Sequence, residues 1–476
     1  MMEEARSSTT IATPASSGDP EIQFDQNEDR GRPHSWKNGK GFRVALLTPY
    51  SGGNLGDAAI QDALIANLRV RLPEVQFSGI TLNCENFVNQ HGTEAFALCA
   101  SSGLFYGMSR HGSGNQSQKR GSPAGIGTIK RALKILPGSH LASRVWREFN
   151  HCRNGLRFLR GHDLLIVSGG GQLDEEWGGG WGHPFALFKW AMLARMAKVP
   201  WVFASVGACK AASATSRFFL SRALRRAHYR SYRDVNSRNI AAALFAPASA
   251  DAVVPDMAFS LPASAQASSA GLRALAEGRK IIAVSPITYA KPQNWPHEDA
   301  AVYERYLTQL ANALSQLIAQ DYFIVMVWSA RADKETISDL LARLSDAAKK
   351  RSSSHIHIPL ITKWRDFYSF VADADFLIAS RLHSTILGFV ARKPTIAISF
   401  DAKVDWVMQD LEQTEYLLHI RDFTSEDVLT RVEEMKVQNS AITEYLGTHK
   451  KNNQALFASQ YDALAELVLA HRGARR

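Results

Sequence analysis

An arginine and a histidine two positions apart, in Ser380-Arg381-Leu382-His383-Ser384, are the sharpest chemical signal in this chain. They follow a run suited to a buried strand, DFLIAS, and precede a helical run, TILGFVAR. That order predicts Ser380 as the helix cap, with Arg381 and His383 in the first turn facing a cleft, where free N–H groups and the helix dipole favour negative charge. Arginine presents a planar fork to phosphate or carboxylate, and histidine is the usual proton donor near neutral pH. Lys403, just past the next strand run, adds a cation at the same sheet edge. The expected chemistry is anion binding coupled to proton transfer. A lone helical histidine is more often structural, and the arginine beside it at a strand-to-helix turn argues against that here.

Two glycine-rich turns follow buried runs in the same way. In SGGNLGDAAI (51–60), Asn54, Gly56 and Asp57 lie between a strand and a helix, at the edge where open α/β sheets bind ligands. Asp57 is expected to cap that helix, and could also orient or deprotonate a hydroxyl. The spacing is neither a dinucleotide fingerprint nor a phosphate-binding P-loop. The second turn, SGGGQLDEEWGGGWGHP (168–184), carries Asp174, Trp177 and His183. Tryptophan faces stack on sugar rings and carboxylates accept from sugar hydroxyls, so a carbohydrate acceptor suits this loop. A mobile surface connection is the bland alternative.

The elements that must position these turns read as an α/β protein. Short apolar runs at 43–50, 163–170, 201–207, 280–287, 322–328, 375–380 and 394–400 suit strands buried on both faces, and helical patterns lie between them. Two Rossmann-like lobes with a cleft between them follow. The expected organisation is a disordered tail over 1–38, a first lobe over 39–262 carrying a basic insert at 107–160, a hinge at 263–279, a second lobe over 280–425 and C-terminal helices over 426–476.

Charge is uneven. From Lys119 to Arg160 there are ten basic residues and one acid, Glu148, in a chain whose net charge is +10. Val145, Phe149, Cys152, Leu156 and Leu159 form one helical stripe there, with the arginines largely outside it. This pattern fits a helix resting on an anionic membrane surface, and equally a solvated basic face packed by its apolar stripe on the first lobe. The Asn154-Gly155 step is a place for a kink. No nucleic-acid motif accompanies the basic residues, so no nucleic-acid partner is expected. The four cysteines form no metal or disulfide pattern and read as small core residues. The acidic, polar start is unlike a secretory signal and no run is long enough to span a bilayer, which points to the cytoplasm, at the inner face of a membrane if the acceptor is lipid-linked.

Taken in order, Asn54-Leu55-Gly56-Asp57, Gly169-Gly170-Gly171, Tyr232-Arg233-Asp234 with Ser237, Pro255-Asp256 with Phe259, and Ser380-Arg381-Leu382-His383 running on to Phe400-Asp401-Ala402-Lys403 resemble the polysaccharide pyruvyl transferase family over about residues 43–411. The resemblance implies a two-lobed fold of the glycosyltransferase B type and an exopolysaccharide-biosynthesis enzyme that takes phosphoenolpyruvate as co-substrate, with no other cofactor and no metal. It places the general acid on His383 and donor binding on Arg381, Arg233 and Lys403. A glycan or lipid-linked oligosaccharide would be the acceptor. Phe400 stands where the family often has tyrosine, and the basic insert looks long. A nucleotide-sugar glycosyltransferase on the same architecture, or a noncatalytic glycan or membrane binder, are the rival readings.

Overall fold

The computed structural model describes residues 41–49, 53–100, 139–176, 178–209, 213–244, 251–262, 269, 271–295 and 297–475. The expected tail and most of the basic insert lie outside these residues.

Among the described residues thirteen strands form two sheets, and their strand-to-strand pairings are all parallel. The first contains β1 (Arg43–Leu47), β2 (Gln76–Thr81), β3 (Glu94–Ala97), β4 (Leu164–Ser168), β5 (Trp201–Val206), β6 (Tyr229–Tyr232) and β7 (Ala252–Val253), in the order β3-β2-β1-β4-β5-β6-β7. The second contains β8 (Ile281–Ser285), β9 (Phe323–Met326), β10 (Ile356–His357), β11 (Phe376–Ala379), β12 (Thr395–Ser399) and β13 (Leu417–His419), in the order β10-β9-β8-β11-β12-β13. Both are doubly wound. Strand order reverses between β1 and β4 in one sheet and between β8 and β11 in the other, and such switch points are where open α/β sheets take ligands.

The period-two pattern of β1 explains why this sheet is covered on both sides. Val44 and Leu46 pack under the helix Leu55–Arg71, while Ala45 and Leu47 face the helices Ser139–Leu159, His183–Ala197 and Ala214–Leu224. The core on the first of these faces is continuous with that of the second lobe. The lobes are also stitched at the backbone, where Leu55 donates to the Ser329 carbonyl at 2.8 Å and Arg331 to the Gly53 carbonyl at 3.0 Å. Further out, Asp62 accepts from Trp364 at 2.9 Å and Arg365 at 3.0 Å.

The chain passes between the sheets in the expected hinge region, which holds a short helix at Leu272–Leu275. It then crosses again. The helix Ser425–Asn452 packs on the second lobe, and the helix Gln454–Arg475 returns to the first. There Gln460 joins Ser205 and Ser231 in a buried network, Tyr461 meets Ser260 at 2.7 Å and Asp462 pairs with Arg71.

Gly155 does not kink its helix, which is unbroken from Ser139 to Leu159; its missing side chain lets Trp190 and Leu193 approach within 3.1–3.2 Å of where a Cβ would lie. The four cysteines are partly buried rather than fully enclosed: Cys99 and Cys152 pack against the core of the first lobe, and Cys209 lies beside Lys403.

Candidate active site between the two sheets

The loop after β1 leads straight into a helix, and the side chain that caps it is Asn54, whose Oδ1 accepts from Gly56 N at 3.1 Å. Asp57 is thereby freed from the capping role expected of it and lies three positions further on, in the first turn. Loss of water raises its carboxyl above the ordinary range; His383 and Arg233 act in the opposite direction and Asp256 adds to the rise.

Gly169 and Gly170, after β4, have φ of +54° and +65°, a backbone region that side chains strain to enter. The turn is no loose surface loop. Gly170 O accepts from Gly207 N at 2.7 Å and Leu173 pairs with Ala208, holding Asp174 in the interior. A methyl group on Gly170 would sit 3.5 Å from Asp57 Oδ1, and one on Gly171 would sit 3.3 Å from Asp174 Oδ2 and 3.8 Å from Lys403 Nζ. The glycines therefore draw carboxylates of the first lobe and an ammonium of the second around one strip of backbone. Burial pushes the Asp174 carboxyl up to about 7 even with Lys403 pulling it down. Lys403 is held in its charged form by Cys209, Asp401 and Asp174, which outweigh its own burial.

In the second lobe the helix is Leu382–Val390 and Arg381, not Ser380, occupies its N-cap position. Ser380 is turned inward to Tyr306 OH at 3.0 Å, so its hydroxyl cannot cap. Ser384 bonds Ser285 at 2.8 Å and Ser329 at 2.9 Å, fixing the first turn to the ends of β8 and β9. His383 then points at the first lobe. Its ring lies so close to Gly56 that a methyl group there would overlap it. Its Nε2 is 4.0 Å from Asp256 Oδ2. Asp256 opens the turn Met257–Ser260, accepting from Ala258 N at 3.0 Å, and that turn is braced by Asn67 and Tyr461.

Among the described residues, His383 Nε2, Asp256 Oδ2, Asp174 Oδ1 and Arg233 Nη2 are all buried without a hydrogen-bond partner. Buried polar atoms are normally satisfied, and these four belong to residues linked through shared partners, Asp57 to His383, Asp256 and Arg233, and Asp174 to Arg233, which makes the cluster the candidate site. Arg233 gives one edge to Asp234 at 3.1 Å and packs its guanidinium against Gly207, where a Cβ would stand 2.7 Å from Cζ.

The remaining expected site residues are placed differently. Arg381 spends its Nε and Nη2 on the buried Asp333 at 2.5 and 2.8 Å, so much of its charge is already matched. His183 is wholly buried, bonded to Gln172 at 3.0 Å and pushed down to about 4 by burial, which makes it a neutral core side chain out of reach of an acceptor. Asn54 is committed to its cap, and Gly56 to the contact with His383. Trp177 lies outside the described residues. Phe400 packs against Tyr289 and Trp295 with ring centroids 5.3 and 5.7 Å apart.

Gly56→Ala is expected to displace the His383 ring and abolish activity while leaving the far-ultraviolet circular dichroism unchanged. A fully active alanine variant would show that the ring need not stay in this position.

Two doubly wound parallel sheets of this kind are the architecture seen in solved B-type glycosyltransferases and epimerases. Solved structures with this fold include a UDP-N-acetylglucosamine 2-epimerase (11% identity over 92% of this chain and 97% of that one, TM-score 0.52). Others are Anabaena HepE in complex with UDP (10%, 90% and 100%, 0.52) and a UDP-glucose:anthocyanidin 3-O-glucosyltransferase in complex with UDP (12%, 90% and 99%, 0.51). At these identities the likeness establishes the fold alone. No curated protein sequence matches the chain. The chain belongs to the polysaccharide pyruvyl transferase family, which its sequence matches over residues 54–401. That span runs from the cap of the first helix to Asp401, two residues short of Lys403.

Proposed function

We propose that the protein transfers the pyruvyl group of phosphoenolpyruvate to two hydroxyls of a glycan as a ketal, releasing inorganic phosphate. The observation that carries this reading is the meeting of a proton donor, two cations and a near-neutral carboxyl beyond the strand ends of the two sheets in a chain of this family.

The donor is a dianionic phosphate and a carboxylate on one enol carbon. Arg233, with its unpartnered Nη2, and Lys403 supply the matching positive charge, and Arg381 can add only what Asp333 leaves it. His383 protonates the methylene carbon of the donor. Electron demand then falls on the central carbon, and a sugar hydroxyl attacks it while losing its proton to a base. Asp174, with a carboxyl that titrates near neutrality, suits that role, with Asp57 alongside. The phosphate leaves toward the cations, and a second hydroxyl closes the ketal. Asp256 supports this by facing the ring nitrogen of His383, where its carboxylate orients the imidazole and balances positive charge on it.

Arg233→Lys is expected to raise KM for phosphoenolpyruvate about 10- to 100-fold, the worth of one charge-assisted hydrogen bond, with KM for the glycan unchanged. Phosphate release at varied donor concentration reads this directly. A rise in glycan KM alone would move Arg233 to the acceptor side. The same assay tests the function itself, since a UDP-sugar-dependent transferase would leave phosphoenolpyruvate intact.

A further inference from the structure

We propose that the outer face of the helices Ser139–Leu159, His183–Ala197 and Ala214–Leu224 docks the protein on an anionic membrane surface. These helices cover one face of the first sheet side by side. The stripe read from the sequence divides in the structure. Leu159 is buried with Phe158 in the first lobe, but Val145 and Phe149 are 48% and 64% exposed, and Trp146 beside them is 61% exposed. Met196 on the middle helix and Phe218 on the third are exposed as well. Large aromatic side chains standing in water on neighbouring helices are costly for a surface with no partner, and Trp with Phe is the composition that enters the headgroup region of a bilayer.

The charges on the same face carry the rest of the argument. Segments 139–160, 183–199 and 213–230 contain thirteen Lys and Arg and one acid, Glu148, in a chain of net charge +10. Outside them acids outnumber bases. Glu148 is turned inward, where it pairs with buried Lys189 at 2.9 Å and locks the first helix onto the second. The outward face is therefore left with aromatics and arginines such as Arg153, Arg157, Arg217 and Arg222, and no carboxylate from these helices. A protein partner could take the aromatic rings with some of the arginines, but the arginines are spread over three neighbouring helices with no intervening carboxylate, a breadth that a continuous acidic lipid surface matches. Among the described residues no helix is long and apolar enough to cross a membrane, so contact through this face would be peripheral.

Co-sedimentation of the full chain with phosphatidylcholine vesicles, with or without one-third phosphatidylglycerol, tests this without any turnover. Binding to the acidic vesicles alone, weakened by salt, is the expected result. R153E/R157E/R217E should lower the partition coefficient about 100-fold or more, and W146S/F149S should weaken it while keeping the salt dependence. Phosphate release by these variants on a soluble glycan should equal that of the wild type, which shows them folded. Wild-type protein that stays in the supernatant at low salt would overturn the proposal. So would equal binding to neutral vesicles, undiminished binding by the triple variant, or a stable dimer that W146S/F149S dissociates.

Discussion

His383→Asn is expected to lower turnover about 1,000-fold, within the range that a positioned general acid contributes. Asparagine preserves the hydrogen-bonding volume near Asp256 and removes the titratable nitrogen, so the loss reports on the proton rather than on packing. The helix that carries His383 is fixed by Ser384 through Ser285 and Ser329, none of which the substitution touches. The thermal midpoint should therefore stay at the wild-type value. A folded His383→Asn protein with normal phosphate release would remove the histidine from the chemistry.

The second large effect is a pH profile. Acting as a base, Asp174 must be ionised, so kcat/KM for the free enzyme should rise with pH through about 7, the value to which burial brings its carboxyl. Asp174→Asn should cut kcat/KM at least about 100-fold and abolish that limb. The sign of the effect on stability is opposite. Because its folded-state pKa lies above the ordinary 3.8, ionising Asp174 destabilises the fold progressively as pH rises from about 4 to 7. The asparagine variant should accordingly be no less stable than wild type at pH 8, so lost activity there cannot come from unfolding. A rising limb that survives in the variant would assign it to another group, Asp57 first.

Much of this was legible in the residues. All seven apolar runs hold strands, because strands buried on both faces need nearly continuous apolar sequence. The six strands that were missed are short or polar: β2 reads QFSGIT, β6 reads YRSY, and β7 and β10 are two residues each. Their place in a sheet comes from neighbours rather than from their own composition. The site divides along the same line. Asp57, Asp174, His383 and Lys403 follow strand ends that the apolar runs mark, where sequence order alone predicts convergence, whereas Arg233 follows the polar strand β6 and was visible only through the family resemblance. Asp256 was visible only as part of a family resemblance, with no role attached, because its partner is 127 positions away. Asp333 carried no signal at all, and it decides how much of Arg381 is available. Asp57 and Ser380 were each expected as caps, but the structure gives the first cap to Asn54, three positions earlier, and puts Arg381 at the second N-cap position with no side-chain cap, shifts that pattern reading does not resolve.

The claim at the centre of this account is that phosphoenolpyruvate is the donor and a ketal the product. Incubating the protein with phosphoenolpyruvate isotopically labelled at its central carbon and a panel of lipid-linked glycans, and following phosphate and product mass together, addresses it directly. One glycan should gain the label with the mass of pyruvic acid less one water, matched one-for-one by released phosphate, and neither should appear with His383→Asn. Unlabelled glycan and intact phosphoenolpyruvate, with a new glycosidic bond formed when a UDP-sugar is supplied instead, would contradict it.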